Sequence, residues 1–285
     1  MSFGPNPWQQ TNWDWRAAGN FIGGGAGSGL IMFTALAGVE GTAAAVLLLV
    51  GLALVGLGLA CVWLELGRPL RALHVFFNPN TSWMTREAIA ATALFPVGLA
   101  AAVAAHLGVG GAAWPAALLA AVFVYCQSRM LQAARGITAW HEPLAVALLV
   151  GTSLAEGAGL YWLTQPWHGR GGTTLALLFG ALLLLRAAIW VVYRQRLGDR
   201  LAARAKAALD RAARVLLIGG TAVPLALLLA AAGSGAGPGW LAALAGALAV
   251  LGGAYMKFTL ITRAGHNRGF VLREMPVRGA RPFSG

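Results

Sequence analysis

Acidic and basic side chains crowd the segment that joins two long apolar stretches near residue 75. The segment opens with Leu64-Glu65-Leu66-Gly67-Arg68-Pro69-Leu70-Arg71 and closes with Ser82-Trp83-Met84-Thr85-Arg86-Glu87. Glu65 ends one apolar stretch and Glu87 begins the next, and an acid at membrane depth is costly and usually functional. Carboxylates and a nearby imidazole, that of His74, are groups that transfer protons in catalysis. The spacing therefore predicts a proton-exchanging site at a helix boundary.

Structural roles compete with this hypothesis for several of the same residues. A carboxylate in the first turn of a helix is favoured by the helix dipole, so Glu87 could cap its helix or pair with Arg86 or Arg68. Asn20 could donate its amide hydrogen to a bound ligand, or it could form a hydrogen bond between helices. Trp83 could pack against a planar ring. Both alternatives stay open for Glu87 and for Asn20.

The stretches that must position these residues are too apolar for a soluble fold. Of the 285 residues, 58% are hydrophobic and 11% charged, whereas a soluble domain carries about 25% charged residues. A membrane span needs about 20 apolar residues, and the sequence predicts an all-α polytopic membrane protein with eight transmembrane helices. A polar segment 1–19 precedes the transmembrane domain 20–261, and a basic tail 262–285 follows it. The spans are predicted at 20–37, 43–64, 88–107, 113–131, 144–163, 173–193, 215–232 and 240–260.

Positive charge is distributed very unevenly over this arrangement. Of the 21 lysine and arginine residues, Arg170 alone falls on the opposite side and Arg186 lies inside the sixth span; Lys257, near the end of the eighth span, is counted with the C-terminal end. The positive-inside rule then predicts that the basic side and both termini are cytoplasmic, in a bacterial inner membrane. The basic residues lie between apolar stretches rather than on a soluble face, so we expect membrane lipid and no nucleic acid as partner. Four arginines on this side are predicted to contact partner subunits: Arg71, Arg135, Arg200 and Arg204.

Residues elsewhere in the spans suggest packing and one further polar site. The glycines between Gly23 and Gly29 predict close helix packing. Glu156 in the fifth span is the other acid at membrane depth, and Arg186 is its possible counterion. The two could form a structural ion pair, Glu156 could belong to a proton path, or neither, and these alternatives stay open.

Metal and haem sites are not expected in this chain. A b-type haem between helices needs axial ligands within the spans, whereas the histidines fall in loops, at span ends or in the tail. Cys61 and Cys126 lie in apolar stretches without C-x-x-C spacing, so we expect neither a zinc site nor an iron–sulfur cluster. The histidines are His74, His106, His141, His168 and His266.

The loop motif strongly resembles the DmsC-like anchor subunits of complex iron–sulfur molybdoenzymes, which belong to the wider group of NrfD and polysulfide reductase anchors. The resemblance rests on G-R-P-x-R-A from Gly67, on S-W-x-x-R-E from Ser82, on W-H-E-P-L from Trp140, and on the glycine-rich first span. It implies an anchor that exchanges electrons and protons with menaquinone or ubiquinone. It also implies a ferredoxin-like iron–sulfur subunit and a molybdenum or tungsten catalytic subunit as partners.

Individual site residues follow from the same resemblance. Glu87 matches the glutamate at the start of the third helix that is implicated in quinol chemistry. Glu65 stands where some members have a histidine, which changes the hydrogen-bond partner of the quinone. With Glu87, the residues predicted to bind quinone are Asn20, Arg68, Trp83 and Arg86.

The predicted orientation narrows the function. Because the loop lies on the predicted cytoplasmic side, we expect the partner subunits to dock there and to oxidise a cytoplasmic substrate, with electrons passing to quinone. Phenylacetyl-CoA:acceptor oxidoreductase resembles this description, and a sulfite-oxidising complex is a second candidate. A secondary transporter is the alternative from another class, but transporters usually contain internal repeats, and the loop motif has no second copy. An anchor without quinone chemistry is a third possibility.

Overall fold

The computed structural model describes residues 7–64, 69–233 and 239–269, and within them the chain forms helices and no strands, which confirms the all-α prediction. Two 3₁₀ segments, Pro69–Phe77 and Gly198–Arg200, lie between helices, and a π-helix, Val215–Ala222, joins two of them. The α-helices are α1 Trp15–Leu36, α2 Gly41–Trp63, α3 Trp83–His106, α4 Trp114–Gln132, α5 Thr138–His141, α6 Leu144–His168, α7 Thr173–Leu197, α8 Ala203–Arg214, α9 Val223–Gly233 and α10 Gly239–Thr262.

Seven helical units in the described part of the chain are long and apolar enough to cross a membrane. They are α2, α3, α4, α6, α7, α10 and the continuous unit formed by α8, the π-helix and α9. The first predicted span forms α1, whose 22 residues extend about 33 Å. Its six glycines lower its hydropathy, so α1 is not among the seven. The multi-pass class is confirmed, while the count of eight spans stays a prediction.

Helix α1 lies at the centre of the bundle, packed against α2, α4, α6 and α10. The contact with α6 is backbone to backbone, because a Cβ atom added at Gly29 would lie 1.9 Å from the Ser153 carbonyl oxygen. A Cβ atom added at Gly157 would likewise lie 1.9 Å from the Gly29 carbonyl carbon. Small residues permit this approach where lipid offers no hydrophobic drive between helices. The predicted close packing of the glycine-rich span is confirmed.

One end of the bundle, which we call the loop end, gathers the start of α1 and the ends of α2, α4, α7 and α10. Two isolated β-bridges tie it together, Gln9 with His266 and Ile137 with Asn267. An ion pair between Arg200 and Glu142, with 3.0 Å between Nη2 and Oε2, links the 3₁₀ segment after α7 to the start of α6. The loop end therefore holds the polar connections that position the site.

Candidate functional site

Glu87 is the fifth residue of α3 and is only 4% exposed. Ser82 caps this helix by accepting a hydrogen bond from the Thr85 backbone N–H at 3.2 Å. The Thr85 hydroxyl donates to the Val75 carbonyl at 2.5 Å, which ties the 3₁₀ segment to the start of α3. Ser82 thus supplies the cap that Glu87 was a candidate to provide. These local contacts fix the start of α3 and direct the Glu87 carboxylate into the bundle.

Two amide side chains donate to this carboxylate from neighbouring helices. Asn20 Nδ2 of α1 lies 3.3 Å from Glu87 Oε1, and Gln127 Nε2 of α4 lies 3.1 Å from the same oxygen. Gln127 also donates to the Asn20 carbonyl at 3.2 Å. A Cβ atom added at Gly24 would lie 2.7 Å from Gln127 Nε2, so the glycine makes room for the amide. Sequence reasoning missed Gln127, although a glutamine within an apolar span is a usable signal.

A cavity of about 400 Å³ opens beside Glu87. Asn20 and Glu87 are the polar residues among those lining it, and the rest of the wall is apolar. Small-molecule sites are commonly apolar clefts of this size with a few placed polar groups. The arrangement suits an amphipathic planar ligand whose oxygen meets the carboxyl group. The larger wall residues are Trp13, Phe21, Leu59, Trp63, Met84 and Met130.

Trp83 and Arg86 lie next to the cavity but do not line it. The Arg86 guanidinium lies 4.3 Å from the centre of the Trp83 ring, and that of Arg129 lies 4.7 Å from it. Arg86 also donates to the carbonyls of Pro79 and Asn80, at 2.9 and 2.8 Å. Arg86 therefore holds the loop before α3 rather than pairing with Glu87.

The remaining loop residues are only partly covered by the structure. His74 lies in the 3₁₀ segment with its ring 5.4 Å from that of Phe77, while Val75 of the same segment lines the cavity. Glu65 and Arg68 fall outside the described residues, as does the side chain of Arg71. Of the predicted site residues, the structure brings together Asn20 and Glu87.

Exposed arginines lie at the same end of the bundle as the cavity. Arg135 follows α4, Arg204 lies in α8, and both are exposed. Arg200 is 55% exposed at its side chain while it pairs with Glu142. The loop end therefore presents positive charge at the same end of the bundle as the cavity.

Glu156 has a closer counterion than the possible one named from the sequence. Its carboxylate pairs directly with Lys257, with 2.5 Å between Nζ and Oε2, while Arg186 interacts with it electrostatically. The Arg186 Nη1 atom donates to the Ala249 carbonyl at 3.0 Å. Lys257, counted from the sequence with the charges of the C-terminal end, is instead buried in α10 at 1% exposure, and helical side chains point toward the helix N-terminus. Its ammonium group consequently reaches into the bundle.

A multi-pass helical membrane protein with a buried carboxyl group beside an apolar cavity is the class that these observations define. The family model of the DMSO reductase anchor subunit (DmsC) matches residues 17–254. The chain belongs to this DmsC family, which confirms the resemblance of its loop motif. Among curated proteins, none matches the chain at a significant level. The chain is therefore the membrane anchor subunit of an oxidoreductase complex of the molybdoenzyme type, with catalytic and iron–sulfur subunits as its partners.

Proposed function

We propose that this anchor exchanges protons and electrons with a membrane quinone in the cavity beside Glu87. The observation that carries the proposal is a buried carboxylate, held by the Asn20 and Gln127 amides, in the wall of an apolar cavity. Electrons then pass between the quinone and an iron–sulfur cluster of the partner subunit at the loop end. Menaquinone and ubiquinone are both compatible with this chemistry.

The residues around the cavity fit a quinone in size and polarity. A bound quinone takes up two electrons and two protons, and the chain must deliver protons to its ring oxygens. Among the described residues, both hydrogen bonds to Glu87 end on Oε1, so we assign Oε2 to proton exchange. Asn20 and Gln127 orient the carboxyl group, while Trp13 and Trp63 provide apolar walls that exclude water.

We propose that the loop end faces the cytoplasm of a bacterial cell and receives the partner subunits. The positive-inside rule supports this orientation, because nearly all basic residues assigned to connecting segments lie on that side. Arg135, Arg200 and Arg204 are exposed there, and Arg71 belongs to the 3₁₀ segment between α2 and α3. A catalytic subunit on this side acts on a cytoplasmic substrate, and a CoA thioester such as phenylacetyl-CoA suits it. Electrons then flow from substrate to quinone.

Substitution of Glu87 in the assembled complex tests the quinone proposal. We expect Glu87→Gln to lower quinone-dependent turnover about 100-fold, the usual effect of losing a general acid or base. Turnover with a soluble dye that accepts electrons from the catalytic subunit should be unchanged. Glu40→Gln is the matched control, since Glu40 is exposed at the opposite end of the bundle and should leave both rates unaltered.

Two results would contradict the proposals. Wild-type quinone turnover in an assembled Glu87→Gln complex would assign the anchor a purely structural role. Failure of the chain to copurify with a molybdoenzyme and an iron–sulfur protein would favour the transporter alternative. The orientation has its own test, since a C-terminal reporter that is active only in the periplasm would reverse the assigned sides.

A further inference from the structure

A second set of ionisable groups lies buried between α6, α7 and α10. We call Glu156, Arg186 and Lys257 the buried triad; their exposures are 0%, 0% and 1%. Lys257 Nζ donates to Glu156 Oε2 at 2.5 Å, to Ser153 Oγ at 3.1 Å and to the Phe21 carbonyl at 3.1 Å. Within the described part of the chain, Glu156 Oε1 has no hydrogen-bond partner.

One stripe of α10 brings these groups together. Ala249, Gly253 and Lys257 recur every four residues and so share a face of the helix. The Ala249 carbonyl accepts from Arg186 Nη1 at 3.0 Å. A Cβ atom added at Gly253 would lie 2.5 Å from Glu156 Oε1, so this glycine makes room for the carboxylate. The three ionisable groups are therefore neighbours along a single helix face.

The triad lies deep in the membrane domain. Glu156 is twelve residues from the start of α6, or about 18 Å along a helix that extends about 37 Å. Arg186 holds a similar central position in α7. Lys257 is nearer the end of α10, but its side chain points back to Glu156. At this depth the three charged groups are buried in the bundle and are not exposed at its surface.

The charges of the triad do not cancel when all three groups are ionised, because two cations face one carboxylate. A net charge at membrane depth is costly. Arginine keeps its proton in proteins, and the charge of Arg186 interacts with that of Glu156 and can balance it. The lysine ammonium group is the one that can return the triad to neutrality, by releasing a proton.

Helix α1 separates the triad from the Glu87 cavity by a single turn. Asn20 in this turn donates to Glu87, while the next residue, Phe21, accepts from Lys257 through its carbonyl and lines the cavity through its side chain. A Cβ atom added at Gly25 would lie 2.2 Å from Lys257 Nζ. The absence of a side chain there lets the ammonium group rest against the turn that carries Asn20.

We propose that the buried triad is a proton-holding site that exchanges one proton with Glu87 during each quinone turnover. The proposal rests on the quinone chemistry proposed above. In the forward step the proton leaves Lys257 Nζ and is bound by the Glu87 carboxylate. The triad falls from a net charge of plus one to zero, Glu87 becomes neutral, and no electron moves. The groups that face Lys257 are Glu156 and Ser153 of α6, Arg186 of α7 and the Phe21 carbonyl of α1.

Two substitutions of Lys257 separate a proton-holding role from a structural ion pair. Lys257→Arg keeps the ion pair but cannot release a proton. Lys257→Met leaves Glu156 and Arg186 as a neutral pair that holds no proton to give. We expect both complexes to assemble and both to lower quinone-dependent turnover at least tenfold with an unchanged KM. A structural ion pair predicts instead that Lys257→Arg behaves as the wild type.

A second measurement does not depend on turnover. Calorimetric binding of a short-chain ubiquinone analogue, in buffers of different ionisation enthalpy, counts the protons exchanged on binding. Because the transfer from Lys257 to Glu87 is internal, we expect no net proton exchange between the wild-type complex and the buffer, whereas both variants must take the proton for Glu87 from the buffer. Wild-type turnover and proton count in Lys257→Arg would overturn the proposal. If that variant does not assemble, the same results in Lys257→Met overturn it, and failure of both to assemble assigns Lys257 to stability alone.

Glu87→Gln distinguishes this proposal from the proposed function on which it rests. If the Glu87→Gln complex is inactive and the Lys257 variants are fully active, the proposed role of the triad is refuted and the proposed quinone site is retained. If the Glu87→Gln complex is active, the proposed quinone site itself is refuted.

Discussion

The contact between α1 and α6 leaves no space for a methyl group, which makes Gly157→Ala a severe test of the packing. An added Cβ atom would lie 1.9 Å from the carbonyl carbon of Gly29 and 2.2 Å from its carbonyl oxygen. These are backbone atoms of a helix, so no side-chain rotation relieves the overlap. Since carbon atoms pack best at about 3.5–4.0 Å, the two helices must separate by about 1.5 Å.

The magnitude follows from two opposing effects. Overpacking in a close-packed region usually costs about 1–3 kcal/mol, and backbone obstacles favour the upper end. Replacing glycine by alanine within a helix recovers up to about 1 kcal/mol. We therefore expect Gly157→Ala to lower the free energy of unfolding by about 2 kcal/mol. The control is Gly56→Ala in α2, whose added Cβ atom would lie 3.5 Å from Phe95, an ordinary contact. That variant should be neutral or slightly more stable.

Thermal unfolding of the purified complex in one detergent compares the two variants. Gly157→Ala should unfold at a clearly lower temperature than the wild type, and Gly56→Ala should not. Equal stability of the two variants would refute the backbone contact between α1 and α6. The position of Ser153, one turn from Gly157 on α6, would then also need revision.

Two further predictions concern single contacts at the loop end. Gln127→Leu removes a hydrogen-bond donor to the buried Glu87 carboxylate, and such a bond is worth about 1.5–3 kcal/mol. Quinone-dependent kcat/KM should therefore fall about 10- to 100-fold in steady-state assays. An unchanged kcat/KM would exclude Gln127 from the site. Burial, and to a lesser extent the charge of Arg204, lowers the pKa of His266 in the folded chain. In the unfolded chain His266 takes up a proton below about pH 6.5, whereas in the folded chain it does so only at lower pH. Stability should hold above that pH and fall as pH drops toward the folded pKa, and His266→Gln should flatten this part of the thermal-unfolding profile against pH.

The helices were predictable because an apolar run of about 20 residues matches the thickness of the membrane core. Predicted span starts at 144 and 173 coincide with the observed starts of α6 and α7. The predicted start at 88 was five residues late, because Ser82 caps α3 and the polar residues Thr85, Arg86 and Glu87 precede the apolar run. Hydropathy locates the membrane core, whereas capping sets the helix end.

The site was predictable only where chemistry is local to the loop. Glu87 stood out because an acid follows a dense polar segment, but its partner Gln127 comes from α4, and no spacing in the sequence relates the two. Lys257 was counted with the charges of the C-terminal end because it lies close to the end of the eighth span. Its side chain points toward the helix N-terminus, which brings the ammonium group into contact with Glu156 in the structure.

The low hydropathy of α1 and its central place have a common explanation. A helix surrounded by α2, α4, α6 and α10 has little surface to offer to lipid, so it needs few large apolar side chains. Its glycines instead create the space in which Gln127 and Lys257 approach the helix from two sides. The composition that makes α1 a weak membrane span by hydropathy thus allows one turn of backbone to serve both buried polar clusters. A bulkier, more apolar α1 would meet the hydropathy requirement of a span and would separate the Glu87 cavity from the buried triad.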